Sequence, residues 1–192
     1  MRKLSDIADI KAGHPFRGAI ANNEDGRASV IQIKNIVEGG EIQWKELIKT
    51  NLAGRNPPNW LQQGDVIFSA RGVKNIAGYI NAANNPTVCS QHYYVIQVQN
   101  QTILPEFLAW QLNQSPVQNY LTKFAQGSSQ LSIPKTLLEN APIYMPRLQQ
   151  QKLIIRLNKK LIQEKKVLNG LIANRAQQIQ AIAQKVLINQ VK

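Results

Sequence analysis

The pattern of apolar and polar positions divides the chain into two parts. In the second part, which follows Pro146, apolar residues are separated by 4, 7, 4, 7 and 4 positions. They are Leu157, Leu161, Leu168, Ile172, Ile179 and Ala183. This eleven-residue repeat keeps the residues on one face of a nearly straight helix. The pattern predicts one helix over residues 147–192, about 65 Å long at 1.5 Å per residue.

Such a long apolar stripe needs a partner helix, because a domain of 146 residues cannot bury it alone. The same six residues are therefore the predicted seam of an intermolecular coiled coil. A second copy of the chain fits this requirement, since a two-fold axis lets each helix cover the stripe of the other. We expect a homodimer with antiparallel helices.

Residues 1–146 show short β-rich runs between polar turns, which are typical of an α+β domain with mixed or antiparallel strands. The predicted strands are Ser29 to Ile36, Asp65 to Ala70, Gly78 to Asn81 and His92 to Val98. The predicted helices are Ser5 to Ile10, Pro105 to Asn113 and Pro116 to Phe124, with a short helical turn after Pro134. Gly39-Gly40 predicts a hairpin turn.

Composition narrows the class of protein. With 192 residues, of which 43% are hydrophobic, the chain can fill a core. The single cysteine, Cys89, excludes an internal disulfide. The start MRKLSDIADI lacks the apolar region of a signal peptide, and no apolar run is long enough to span a bilayer. We expect a cytoplasmic protein with no membrane partner.

The net charge of +12 is concentrated in the predicted helix. Residues 147–192 contain ten Lys or Arg and one acidic residue, which gives this segment +9. A basic segment of this kind can face nucleic acid, an anionic membrane or an acidic partner. Alternatively, its lysines only solvate the outer face of the helix.

The stretch Asn56-Pro57-Pro58-Asn59-Trp60 raises the question of catalysis. DNA adenine methyltransferases hold the target amine with an Asn-Pro-Pro-aromatic turn. Here Asn59 stands in the aromatic position, and the chain contains no glycine-rich cofactor loop. We interpret the stretch as a proline-stiffened surface turn. No catalytic residue is assigned.

A metal site is not predicted either. Cys89 and His92 are three residues apart, but zinc requires four ligands and His14 is the only other histidine. The sequence around His92, SQHYYVIQV, indicates packing in the core or on a sheet face.

Several polar loops are candidates for contact with DNA. Arginine and lysine bind guanine or phosphate, while hydroxyls, amides and glycine backbone suit phosphate or base edges. The candidate residues are His14, Arg17, Lys34, Asn35, Arg71, Lys74, Ser128, Ser129 and Gln130. Each could instead belong to an ordinary polar turn.

Seven segments, in this order and spacing, carry a resemblance to a known family. They are LSDIADIKAGHPF, VIQIKNI, LQQGDVIFSARG, VCSQHYYVIQV, PEFLAWQLNQSPVQNYL, GSSQLSIPKTLLENAPIYMP and RLQQQKLI. Together they resemble a target-recognition domain and its spacer helix from a type I restriction-modification specificity subunit. The resemblance implies a non-catalytic protein that reads double-stranded DNA with residues 1–146.

The resemblance also implies partners. Specificity subunits hold DNA adenine methyltransferase subunits through their helices, with or without a restriction subunit. S-adenosylmethionine is then expected on the methyltransferase, and this chain needs no cofactor of its own. The usual subunit has two recognition domains and two helices, whereas this sequence resembles a half subunit. A homodimer would read a palindrome with a fixed gap.

Two other classes of protein remain open from the sequence. One is a basic coiled-coil adaptor that bridges proteins without reading DNA. The other is an enzyme, either a methyltransferase or a nuclease.

Overall fold

The structure, a computed structural model, describes residues 1–52, 57–72, 75–82, 86–124 and 132–188. The chain divides into an N-terminal unit, Met1–Lys152, and a C-terminal unit, Leu153–Lys192. The strands are β1 (Arg2–Lys3), β2 (Ala8–Ala12), β3 (Ala28–Ile31), β4 (Ile48–Thr50), β5 (Val66–Ser69), β6 (Ala77–Tyr79), β7 (Thr87–Cys89), β8 (Tyr93–Val98) and β9 (Pro142–Ile143). The helices are α1 (Pro105–Leu112), α2 (Ser115–Phe124), α3 (Lys135–Glu139) and α4 (Leu148–Ile188). The predicted α+β class with a long C-terminal helix is confirmed.

The strands form three sheets. The largest has the order β2-β8-β5-β6, with every pair antiparallel. A second sheet has the order β4-β3-β7, in which β3 runs antiparallel to β4 and parallel to β7. The third pairs β1 with β9. The core lies around β5 and β8, where all four side chains of β5 are buried, and α1 packs against β5 and β6.

The predicted helix from Ser5 to Ile10 is wrong. The chain instead forms a 3-10 turn over Leu4–Asp6 and then strand β2. The Asp6 carboxylate accepts a hydrogen bond from the backbone N–H of Lys3 at 3.0 Å, which closes the turn. Beyond the turn, buried and exposed residues alternate from Ala8 to Lys11, which is the period of a strand.

The predicted strand from Ser29 to Ile36 is also too long. Strand β3 ends at Ile31, and Ile33–Asn35 forms a 3-10 turn. The Asn35 side chain accepts a hydrogen bond from the Gln32 N–H at 2.9 Å and donates one to the Glu46 carbonyl at 3.3 Å. A local side-chain bond of this kind competes with the strand ladder and ends it.

The other predicted elements agree with the structure to within a few residues. The two helices predicted from a proline in their first turn, α1 and α2, are present, as is the short helix after Pro134. The predicted hairpin turn is confirmed, since Ile36 pairs antiparallel with Ile42. Gly39 and Gly40 have φ values of 92° and 82°, a backbone conformation that residues with a side chain rarely adopt.

The first turn of α4 is anchored within the N-terminal unit by Gln151, which is fully buried. Its amide oxygen accepts a hydrogen bond from the Leu104 N–H at 2.8 Å. Its amide nitrogen donates to the carbonyls of Thr102 at 2.8 Å and Pro146 at 2.7 Å. One side chain therefore satisfies three backbone groups at the boundary where α4 begins.

Replacing Gln151 with leucine is expected to lower the free energy of unfolding by about 2–4 kcal/mol, because three backbone groups lose their partner at a buried position. Urea unfolding followed by tryptophan fluorescence measures this, since all three tryptophans lie in residues 44–110. Gln149→Leu, at an exposed position in the same turn, is the matched control. Equal stability of the two variants would contradict the anchoring role.

Helix α4 is continuous over 41 residues, and the predicted long helix is confirmed. Its apolar stripe lies on the surface of the chain. The exposed fractions of Leu157, Leu161, Leu168, Ile172 and Ile179 range from 48% to 68%, and Ala183 is exposed as well. The coiled coil and its seam remain predictions.

Candidate functional site

Three strands end beside the turn Ser90–His92, which joins β7 to β8. Strands β2 and β5 both run antiparallel to β8, so each ends where β8 begins. Strand β3 runs parallel to β7 and ends beside the start of the turn, where the Ser90 N–H donates to the Ile31 carbonyl at 3.0 Å. The topology therefore brings the segments after β2, β3 and β5 to one edge of the fold.

The segment after β2 is held against this turn by its backbone. The N–H groups of Gly13 and His14 donate to the carbonyls of Tyr93 and Cys89 at 2.9 and 2.8 Å. A Cβ atom on Gly13 would lie 2.8 Å from the Cys89 carbonyl oxygen and closer still to that of Ser90. Only glycine permits this approach. The sequence therefore places His14 directly beside the turn.

Phe16 continues the same attachment. Its N–H donates to the Gln91 side-chain oxygen at 2.9 Å, and its carbonyl accepts from the Gln91 amide nitrogen at 3.2 Å. The His14 and Phe16 rings meet edge to face, with centroids 4.8 Å apart. Both backbone polar groups of Phe16 are thus bonded to the Gln91 side chain, one residue before the exposed Arg17.

These segments line a cavity of about 480 Å³ that is open to solvent. Its walls come from residues 16–20 without Arg17, from 32–34, and from 90–92. Two polar atoms in the wall, Ser90 Oγ and His92 Nδ1, are buried and have no hydrogen-bond partner among the described residues. Buried polar atoms are nearly always paired in native proteins. Both atoms therefore have unused hydrogen-bonding capacity at the cavity wall.

Cationic residues lie at the cavity and near it. Lys34 is exposed on its wall, and Arg17 is exposed between two wall residues. Arg71 follows Ala70, whose N–H donates to the His92 carbonyl at 2.8 Å. Burial raises the pKa of Tyr94, and the charge of Arg71 opposes that shift. Arg71 does not line the cavity. Lys34 and Arg17 thus lie at the cavity, and Arg71 lies beside the Ser90–His92 turn.

His14 contributes little charge at neutral pH. Burial lowers the pKa of its imidazole below the ordinary value of 6.5. The ring is therefore neutral at pH 7, where it can offer one hydrogen-bond donor and one acceptor.

The structure changes the assignment of Asn35. Its side chain is 1% exposed, and both ends of its amide are bonded within the fold. Asn35 shapes the turn that presents Lys34, so we remove it from the candidate surface. Lys74, Ser128, Ser129 and Gln130 lie outside the described residues.

Sequence reasoning missed Ser90 and Gln91 and assigned His92 to packing. The signal was present in the polar triplet Ser-Gln-His between two apolar strands. A turn at this point would have placed all three residues at a sheet edge, but the strand was predicted to begin at His92.

The other candidates for chemistry in the sequence were the proline-rich turn, the cysteine and possible metal ligands. Asn59 Nδ2 in the proline-rich turn is buried and has no hydrogen-bond partner among the described residues. Residues 57–60 form an irregular surface segment in which Trp60 is 39% exposed, and Asn56 lies outside the described residues. Cys89 is buried, which raises the pKa of its thiol to about 12. Over the described ranges, no three His, Cys, Asp or Glu side chains are grouped to hold a metal ion. Nor does any helix there have the length and apolarity needed to cross a membrane.

Solved structures with this fold come from restriction-modification systems. The HsdS subunit from Thermoanaerobacter tengcongensis matches with a TM-score of 0.60 and 18% identity, over 87% of this chain and 38% of that one. The S subunit of a type I system from M. genitalium gives 0.55 and 13%, over 81% and 37%. A structure of the type I R-M system, described for its complex assembly and conformational transition, gives 0.55 and 18%, over 86% and 38%.

These likenesses establish the fold, and the chain spans less than two-fifths of the length of each of these structures. No curated protein sequence matches the chain. The profile of the family described as type I restriction modification DNA specificity domain matches residues 1–178 of the 192. The chain therefore belongs to the type I restriction-modification DNA specificity domain family, the non-catalytic DNA-recognition component of these systems.

Proposed function

We propose that the N-terminal unit reads double-stranded DNA through the cavity beside the Ser90–His92 turn. The observation that carries this proposal is the pair of buried, unpartnered atoms Ser90 Oγ and His92 Nδ1 in a cavity bordered by cations. We name Arg17, Lys34, Arg71, Ser90 and His92 the recognition face. Hydrogen-bonding atoms at its centre suit base edges, while cations at its rim suit phosphates.

His14 has a supporting role in this proposal. Its backbone and ring connect the β2 segment to the turn and to Phe16. Because its imidazole is neutral at pH 7, any contact that it makes with DNA is a hydrogen bond without charge assistance.

The chain is further proposed to act as a half subunit. Two copies associate through α4 and direct a DNA adenine methyltransferase subunit, with or without a restriction subunit, to a gapped palindromic site. The methyltransferase carries the S-adenosylmethionine. The exposed apolar stripe of α4 supports this assembly, because a helix of the same length would bury it.

Arg71→Ala is expected to weaken binding of the specific duplex by about 1–3 kcal/mol and to relax the choice at one base pair if Arg71 reads guanine. If Arg71 binds phosphate, affinity falls equally for all sequences and the slope of affinity against salt concentration becomes shallower by about one phosphate contact. Selection from random duplexes, followed by binding titrations at several salt concentrations, separates the two outcomes. The methyltransferase complex is used in each measurement.

Lys45→Ala is the matched control, since Lys45 is an exposed cation in the 3-10 turn Trp44–Glu46 and does not line the cavity. It is expected to leave sequence choice unchanged. If Arg71→Ala changes neither affinity nor sequence choice, Arg71 does not belong to the recognition face. A complex that retains duplexes without sequence preference would favour the adaptor hypothesis.

A further inference from the structure

Ile33 is an exposed apolar side chain in a part of the fold that buries its other aliphatic residues. Its exposed fraction is 40%, whereas Ile31 and Ile36 nearby are 0% and 7% exposed. Over the described part of residues 2–146, it is the only leucine, isoleucine or valine that is neither buried nor half-buried. A single exposed aliphatic residue is ordinary on a protein surface, so its surroundings decide whether the exposure has a role.

The 3-10 turn Ile33–Asn35 holds Ile33 in this position. The Asn35 N–H donates to the Gln32 carbonyl at 2.9 Å, and the Gln32 N–H donates to the Asn35 side-chain oxygen at 2.9 Å. The Gln32 carbonyl also accepts a hydrogen bond from the Tyr93 hydroxyl at 3.1 Å, which ties the turn to β8. The backbone that carries Ile33 is therefore bonded at both ends of the turn, and the exposed side chain extends from a fixed support.

The cavity beside the Ser90–His92 turn has an apolar part as well as a polar part. In the polar part, Ser90 Oγ and His92 Nδ1 are buried without hydrogen-bond partners among the described residues. The apolar part consists of four residues, Phe16, Ala19, Ile20 and Ile33. A ligand that fits both parts must carry an apolar group beside a hydrogen-bonding group.

In the major groove of DNA, thymine presents this combination of groups. Its edge carries the O4 acceptor next to the C5-methyl group, which is the one apolar group that a base pair shows there. The methyl group protrudes from the base edge, so a concave apolar surface can surround it. Cytosine lacks the methyl group and has an amino donor in place of O4. The mixed wall of the cavity therefore matches thymine better than it matches cytosine.

We propose that Ile33 contacts the C5-methyl group of a thymine in the recognised sequence, while Ser90 and His92 bind polar groups of the same A·T base pair. Lys34 is exposed beside Ile33 and is available for a neighbouring phosphate. Ile33 thus determines the choice of thymine over cytosine at one base pair. This inference rests on the proposed function, in which the N-terminal unit reads double-stranded DNA through the cavity.

Replacing thymine with deoxyuridine tests the methyl contact, because it removes one methyl group and leaves every hydrogen-bonding group of the base. The duplex selected by the methyltransferase complex is resynthesised with deoxyuridine at one thymine at a time, on both strands. At a contacted thymine, the affinity of the unaltered protein is expected to fall about fourfold, which corresponds to the burial of one methyl group. At the remaining thymines, affinity is expected to stay unchanged.

Ile33→Ala tests whether Ile33 makes this contact. The variant is expected to bind the selected duplex about fourfold less tightly or worse, and to bind the thymine and deoxyuridine duplexes equally, because the methyl group has lost its partner. Ile33→Val keeps a branched apolar side chain and is expected to retain most of the methyl dependence. Leu148→Ala is the matched control, since Leu148 is also 40% exposed and does not line the cavity. It is expected to keep the full preference for thymine. Thermal unfolding of each variant checks that the fold is intact.

The inference and the proposed function fail in different ways. Sequence-specific binding that is insensitive to every methyl deletion overturns the thymine contact and leaves DNA recognition standing. Methyl dependence that persists in Ile33→Ala overturns the role of Ile33. Equal weakening of all sequences by Ile33→Ala also overturns it, because the side chain then contacts the DNA backbone or a protein partner. A complex that binds duplexes without sequence preference refutes the inference and the proposed function together.

Discussion

Replacing both Leu168 and Ile172 with aspartate is expected to convert the protein into monomers or to make it insoluble. Each chain would then bury two aspartates in the seam without partners. An uncompensated buried charge costs roughly 3–5 kcal/mol. Within one chain these side chains are 51% and 68% exposed, so the substitution removes little packing from the single chain. Any change in mass therefore reports on the partner helix.

Light scattering on the purified chain measures the result. The matched control places two aspartates on the opposite face, as Gln177→Asp and Gln184→Asp, at exposed positions with the same change in charge. The control is expected to retain the mass of a dimer. If the seam variant also keeps that mass, the apolar stripe is not the interface.

The DNA target of the homodimer is expected to be a palindrome interrupted by a fixed gap. Two identical recognition faces related by a two-fold axis must read the same short sequence on opposite strands. Helix α4 is about 60 Å long at 1.5 Å per residue, which limits the separation of the half-site centres to roughly 18 base pairs at 3.4 Å each. Mapping of methylated adenines in a host with this gene and its methyltransferase reveals the site.

Lengthening α4 tests whether the helix determines the gap. Duplication of residues 153–163 adds one full repeat, which preserves the apolar face and lengthens each helix by about 16 Å. The gap is expected to widen by about five base pairs, roughly half a turn of DNA, while both half-sites stay unchanged. An asymmetric or ungapped site for the unaltered protein, acting without a different specificity chain, would refute the homodimeric model.

The sequence predicted best those elements whose signals are local. Pro105 in the first turn of α1 and the eleven-residue period of α4 both identify helices without knowledge of tertiary contacts. The segment that became β2 was misread because the buried alternation covers only a few residues. In β3 the error came from Asn35. The sequence does not show whether this asparagine is exposed to solvent or bonds the Gln32 N–H and ends the strand.

The recognition face was only partly predictable, since its geometry depends on pairings between distant residues. Lys34 and Arg71 could be named individually as cations in loops. Their position near the Ser90–His92 turn requires β3 to pair in parallel with β7, and β5 to pair with β8. No local pattern predicts which strands become neighbours. Ser90 lines a cavity that forms only when these strands pair, so its role was not predicted from the sequence.

The attachment of Gly13 and Phe16 to the Ser90–His92 turn has a consequence for protein engineering. The backbone of this region is fixed by Gly13, Gln91 and Asn35, whereas the outward side chains of Arg17, Lys34 and Arg71 take no part in that bonding. If the recognition face reads DNA as proposed, a combinatorial library that varies these cations and keeps the bonded framework constant would sample new DNA targets on an unchanged scaffold.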